Sequence, residues 1–187
     1  MLRLSAFLFV LTAACAPTNP SSREAMPTSP VRAGAALGDD FKEGRVTNVR
    51  PDVVKVSFDI DASPAQAWGA LGQVVAELGV EVAETDPAAM SLSNPDLAIS
   101  RRLGDEQLSR YLRCGSGITG QFADQYRIRM NFFTQVTPRP EGKSAVETTI
   151  QAMATNPRGT SNTRAPCTST HILESRIARG LANRIGG

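Results

Sequence analysis

The chain has 187 residues, 41% of them apolar, with 20 basic and 18 acidic side chains, three cysteines and a single histidine. That length suits one modest domain with some chain to spare. A formal charge of +2 is too small to argue for a nucleic-acid partner, and one histidine excludes a His-rich metal centre of the catalytic-zinc kind. An odd number of cysteines leaves one whose role must be found outside a disulfide.

The N-terminus carries one positive charge, Arg3, and then an uncharged apolar run from Leu4 to Leu11. This reads as a secretory signal, too short for the ~20 apolar residues that span a bilayer. The run ends in Thr12-Ala13-Ala14-Cys15, which resembles the lipobox of bacterial lipoproteins. Leu11 stands four places before the cysteine, where that family usually has leucine three places before. The resemblance implies cleavage after residue 14 and acylation, including palmitate, at Cys15. Several acyl chains hold a protein stably on a bilayer, whereas one is marginal. The residue after the cysteine is Ala16 and not the aspartate of inner-membrane retention, so the resemblance implies the periplasmic side of the outer membrane. An ordinary signal with Ala-x-Ala-like cleavage is the competing reading. Residues 15–45 are rich in Pro, Ser, Thr, Ala and Gly, cannot bury enough apolar surface to offset ordering, and are expected to form a flexible tether.

Regular pattern begins near residue 46, and a single domain is expected over 46–187. The alternation of Val54, Val56, Phe58 and Ile60 with mostly polar neighbours predicts a half-buried strand over 53–60. Ser63-Pro64-Ala65-Gln66 supplies an N-cap, a proline at the first helical position and a capping-box partner. The helix that follows carries Trp68, Leu71, Val75 and Leu78 at helical spacing and stops at Gly79. Short strands are predicted over 80–85, 89–93 and 97–101, and a short helix or turn over 105–112. Two long alternating segments, Tyr126 to Val136 and Val146 to Ala152, flank a Pro/Gly turn and predict an antiparallel hairpin with one wet face. A loop from 156 to 166 leads to a helix with Leu173, Ile177, Leu181 and Ile185 on one stripe. The order predicts an α+β fold, an antiparallel sheet packed against two helices.

With Cys15 assigned to lipid, Cys114 and Cys167 form an even pair in an oxidising compartment. They are expected to join in a disulfide; two free buried thiols or a redox pair is the other reading, unsupported by any Cys-x-x-Cys spacing. Gly115-Ser116-Gly117-Ile118-Thr119-Gly120 matches the letters of a dinucleotide loop, but that chemistry needs a strand before and a helix after. A helix or turn before and a strand after are expected here, so the glycines read as a tight turn and no nucleotide is expected. Asp59 and Asp61 read as a solvated strand end and not a cation site; no metal, cofactor or catalytic residue is assigned. His171, in Thr168-Ser169-Thr170-His171 beside natural N-caps, has no nucleophile-elbow context.

Charge is distributed unevenly. Residues 39–86 hold ten acidic and four basic side chains, whereas residues 101–187 hold thirteen basic and six acidic, and 17 of the 20 basic residues are arginine. Arginine favours planar, bidentate pairing with carboxylates and phosphates. Either these charges pair within the domain, or Arg127, Arg129, Arg176, Arg179 and Arg184 form a face for an acidic partner or anionic headgroups.

The anchored cysteine, the tether, the strand leading into the Ser63-capped helix and the hairpin followed by a C-terminal helix resemble the helix-grip domains of bacterial envelope lipoproteins. These include the lipoprotein subunits of the outer-membrane β-barrel assembly machine. The resemblance implies a non-enzymatic binding or scaffolding role toward another envelope protein. Two other readings stand beside it: a small-molecule or lipid carrier with a pocket lined by Trp68, Met130 and Phe132, and an envelope hydrolase built on His171 with a serine and a carboxylate.

Overall fold

Backbone pairing starts at β1 (Ser29–Val31), which runs antiparallel to β2 (Gly44–Arg50), itself paired with β3 (Val53–Ile60). The structure is a computed structural model that describes residues 29–31, 44–50, 53–157 and 164–186. Cys15, the signal segment and most of the expected tether lie outside the described residues. Five residues expected in the tether lie in strands: Ser29–Val31 form the outermost one, and Gly44 and Arg45 open β2. In β3 the even positions Val56, Phe58 and Ile60 are buried while Asp59 is exposed, as the alternation requires.

Helix α1 (Pro64–Glu77) opens with the predicted capping box: Ser63 Oγ accepts from the Gln66 amide, and the Gln66 side chain accepts from the Ser63 amide at 3.1 Å. Its buried face is Ala67, Leu71, Val74 and Val75, with Trp68 and Leu78 only partly buried. The stripe is rotated toward the small residues because a second helix crosses close there. An added Cβ at Gly180 would stand 2.6 Å from Val74 Cγ1. The helix stops at Leu78, and Gly79 continues at φ +78° hard against the backbone of Gly104, a position only glycine fills without strain.

Of the three short strands predicted after α1, the first shrinks to β4 (Glu84–Asp86) and the other two are one ten-residue strand, β5 (Ser91–Ser100). Pro95 lies where the register jumps, from Met130 opposite Leu97 to Phe132 opposite Asn94. A bulge tolerates a residue that cannot donate to the ladder. The following stretch is made of short pieces: β6 (Arg102–Leu103), β7 (Glu106–Gln107), α2 (Leu108–Tyr111), β8 (Leu112–Arg113), β9 (Ser116–Gly117), β10 (Gly120–Gln121) and α3 (Phe122–Gln125).

The hairpin of β11 (Arg127–Pro138) and β12 (Ser144–Thr155) is in full register, with Phe132 opposite Ile150 and Val136 opposite Val146. The expected loop before the last helix ends earlier than predicted, because Arg164–Ser169 forms strand β13 beside β12 and β8. Helix α4 (Ile172–Ile185) buries Leu173, Ile177, Ala178 and Leu181. The sheet order is β1-β2-β3-β12-β11-β5-β6-β7, all antiparallel, with β13 beside the far half of β12. One sheet face carries Phe58, Ile128, Met130, Phe132 and Val146 into a core shared with α1 and α4. This is the predicted α+β layout of an antiparallel sheet under two long helices. The Cys114–Cys167 disulfide is formed, with a Cα–Cα distance of 4.1 Å, and it ties the end of β8 to β13. Among the described residues, no helix is long and apolar enough to cross a membrane.

Candidate functional site

The helices cover one face of the sheet, so the odd positions of β11 are left on the other. Arg127 and Arg129 are exposed there. Arg127 stands opposite Thr155 on β12, which stands opposite Arg164 on β13; Arg129 stands opposite Met153. These five residues line a cavity of about 300 Å³, with Met153 37% exposed as its apolar element. Arg129 pairs through Nη1 with the carboxylate of Asp96. The side chains of Arg127 and Arg164 make no hydrogen bond or ion pair among the described residues. Arg164 escaped the sequence reading because nothing periodic marks β13; only the basic excess of the C-terminal half pointed toward it.

The opposite end of the same face is charge-balanced. Glu147 on β12 accepts from Lys55 Nζ at 2.9 Å, Gln135 Nε2 at 3.0 Å and Arg139 Nη2 at 3.2 Å. Burial alone would push its carboxyl up, but the Lys55 and Gln135 hydrogen bonds and the Lys55 and Arg139 charges outweigh it, and the net shift is downward. Asp59 and Asp61 sit beside Arg139 and Lys143 at 3.5 and 2.9 Å, which makes them ion-pair partners. Here the charges pair within the domain; around Arg127 and Arg164 they do not.

The five arginines considered as one face are divided between two sides of the molecule. Arg176, Arg179 and Arg184 belong to α4, which lies on the covered side of the sheet, away from Arg127 and Arg129. Arg176 donates to Tyr111 Oη at 2.7 Å and to Glu106 Oε1 at 2.8 Å, and its guanidinium lies 5.7 Å from the Tyr111 ring centre. That hydrogen bond holds the Glu106 carboxyl below its ordinary range. Arg184 pairs with Glu77 of α1, and Arg179 has its Nη2 buried without a hydrogen-bond partner among the described residues. The helix stripe that turns Leu173 and Ile177 to the sheet directs these arginines away from the open face.

His171 stands at the start of α4 in a left-handed conformation, φ +64°. Ser169 Oγ accepts from the His171 amide at 3.0 Å and donates to Glu174 Oε1 at 2.7 Å; His171 Nδ1 lies 3.5 Å from that same oxygen. A serine, a histidine and a carboxylate therefore meet, but the carboxylate occupies the middle. The serine proton points at Glu174, which is 1% exposed, so the imidazole is not placed to take it as a base must. The Ser169 hydroxyl bridges the His171 amide and the buried Glu174 carboxylate, which fixes the left-handed turn into α4 without a side-chain cap on the helix itself.

The glycine motif has a different setting from the expected one. A two-residue strand precedes it and a helix follows, but Gly117 pairs with Gly120 in a hairpin of their own and the helix has four residues. The ring of Phe122 closes on Gly115 and Gly117, where an added Cβ would meet it at 3.4 and 3.0 Å. Phe132 and Met130, considered as pocket lining, are 0% and 1% exposed within the packed core. Two further cavities of about 450 and 440 Å³ open among polar residues near Tyr126 and near Glu106. No protein-family profile matches this chain, and comparison with curated proteins gives no match.

Proposed function

We propose that this chain is a membrane-anchored bacterial envelope lipoprotein, acylated at Cys15 on the periplasmic side of the outer membrane, with a non-enzymatic binding or scaffolding role. The supporting observation is the sheet face around Arg127, Arg129 and Arg164, which the helices leave open and which, among the described residues, combines the unpartnered guanidinium groups of Arg127 and Arg164 with the exposed Met153. Interfaces favour arginine with apolar neighbours over lysine and glutamate, and an acidic envelope protein complements that charge. The geometry of Ser169, His171 and Glu174 supports a non-catalytic reading, since the serine hydroxyl donates to the carboxylate and not to the imidazole.

Charge reversal on the open face tests the binding role. Arg127→Glu with Arg129→Glu, both exposed, should abolish crosslinked partner capture in intact cells while the melting temperature stays within a few degrees; undiminished capture removes the proposal. Cys15→Ser should abolish labelling by a palmitate analogue and release the protein from the membrane fraction. Labelling that survives this change refutes the anchor.

A further inference from the structure

The cavity on the open face has a narrower chemistry than a generally acidic partner requires. Arg127, Thr155 and Arg164 form one row across three adjacent strands, so the two arginine backbones stand about 10 Å apart, two strand spacings, with the threonine between them. Arg129 follows Arg127 on the same strand face, about 7 Å along it, and lines the same cavity. Like charges gathered within about 10 Å on one sheet face repel, and Asp96 is the only carboxylate paired into this cluster among the described residues. Three guanidinium groups less that one carboxylate leave a formal charge of +2 around about 300 Å³.

A single carboxylate brings one charge and two acceptor oxygens, which leaves at least one of these arginines unmatched. A phosphomonoester brings nearly two charges at neutral pH and three acceptor oxygens in the arrangement that guanidinium forks recognise. We propose that the cavity lined by Arg127, Arg129, Thr155 and Arg164 binds a phosphomonoester group, carried either by a soluble ester or by a lipid headgroup. This rests on the reading of the open face as a binding surface and names the group it takes. The Glu147 end of the same face serves as the internal contrast, because its cations already meet a carboxylate.

The soluble arm is calorimetric titration of the full chain with glycerol 3-phosphate. Saturable binding is expected, strengthening as the second phosphate proton leaves near about pH 6. Arg127→Gln and Arg164→Gln should each weaken it about tenfold or more; Arg184→Gln, altered on the helix layer, should leave it unchanged. The lipid arm is cosedimentation with phosphatidylcholine vesicles containing phosphatidic acid, against vesicles matched in charge with phosphatidylglycerol. A preference for phosphatidic acid that Arg127→Gln removes places the group on a lipid, whereas soluble binding without vesicle preference places it on a soluble ester. Absence of binding in both arms, or binding undiminished in both glutamine variants, overturns the proposal. Binding of a poly-glutamate peptide but not of glycerol 3-phosphate overturns the phosphomonoester and leaves the protein-docking role standing.

Discussion

Replacing Cys114 and Cys167 together by alanine removes a crosslink that closes 53 residues of sequence. In the chain-entropy description, a loop of that size constrains the unfolded chain by about 4 kcal/mol. The native contacts near the bond are short: β8 and β13 share two paired positions, Leu112 with Ser169 and Arg113 with Thr168. They offer little to hold the two segments together once the bond is gone. A domain of roughly 140 residues unfolds with an entropy near 0.3 kcal/mol/K, so the loss corresponds to a fall of about 14 °C in melting temperature. Cys114 is 4% exposed, and the small void left by its sulfur adds to the cost. Circular dichroism melting of the double variant, beside wild type with and without reductant, measures it. The variant and the reduced protein should melt together, well below the oxidised protein. A difference under about 5 °C refutes the reasoning, because it means that the unfolded chain without the bond is already held compact by residual structure.

Three further substitutions test the core and its electrostatics. The hydroxyls of Thr134 and Thr148 face each other at 2.9 Å in the buried layer between paired strands; Thr134→Val should cost about 1–3 kcal/mol in urea unfolding by stranding its partner, and adding Thr148→Val should recover most of it. Gly180→Ala pushes a Cβ to 2.6 Å from Val74 Cγ1, so it should destabilise by about 1–3 kcal/mol despite alanine's better helix propensity, and Val74→Ala should relieve it in the double variant. Glu147 has its carboxyl held below the ordinary range in the folded state, so its contribution is complete above the unfolded value of about 4.3 and is lost as pH falls through the lower folded value. Glu147→Gln should therefore cost about 1 kcal/mol at neutral pH, with the gap to wild type closing in acid; a gap that stays constant down to pH 3 contradicts this assignment.

The elements that periodicity marks were legible in the sequence. Strand β3, the capped helix α1, the hairpin of β11 and β12, and α4 each bury one side of a repeating pattern, and that pattern is written into residue order. What was missed lacks such a pattern. Strand β13 has small and polar residues and is fixed by backbone pairing to β12 and β8 and by the disulfide, none of which leaves a periodic trace. The separate strands expected over 89–93 and 97–101 are one because a bulge that accommodates Pro95 depends on the neighbouring strand's register. Glu174 lies on the buried side of α4, and its hydrogen-bond donor Ser169 sits in that unreadable strand. The arginine grouping failed for a different reason. Residue order shows which way each side chain faces on its own element, but combining elements also requires knowing which sheet face the helices cover. Here the helices take the side opposite Arg127 and Arg129, so the outward arginines of α4 lie on the far side of the molecule.

The most direct measurement places a photoreactive residue on each side of the fold in intact cells. One replaces Asn131, exposed between Arg129 and Phe133 on the open face, and the other replaces Asn183, exposed on α4. The expected result is a discrete crosslinked species from position 131 alone, lost when Arg127→Glu and Arg164→Glu are added without a fall in melting temperature. Equal crosslinking from position 183, or a species at 131 that survives both charge reversals, contradicts the open sheet face as the binding surface.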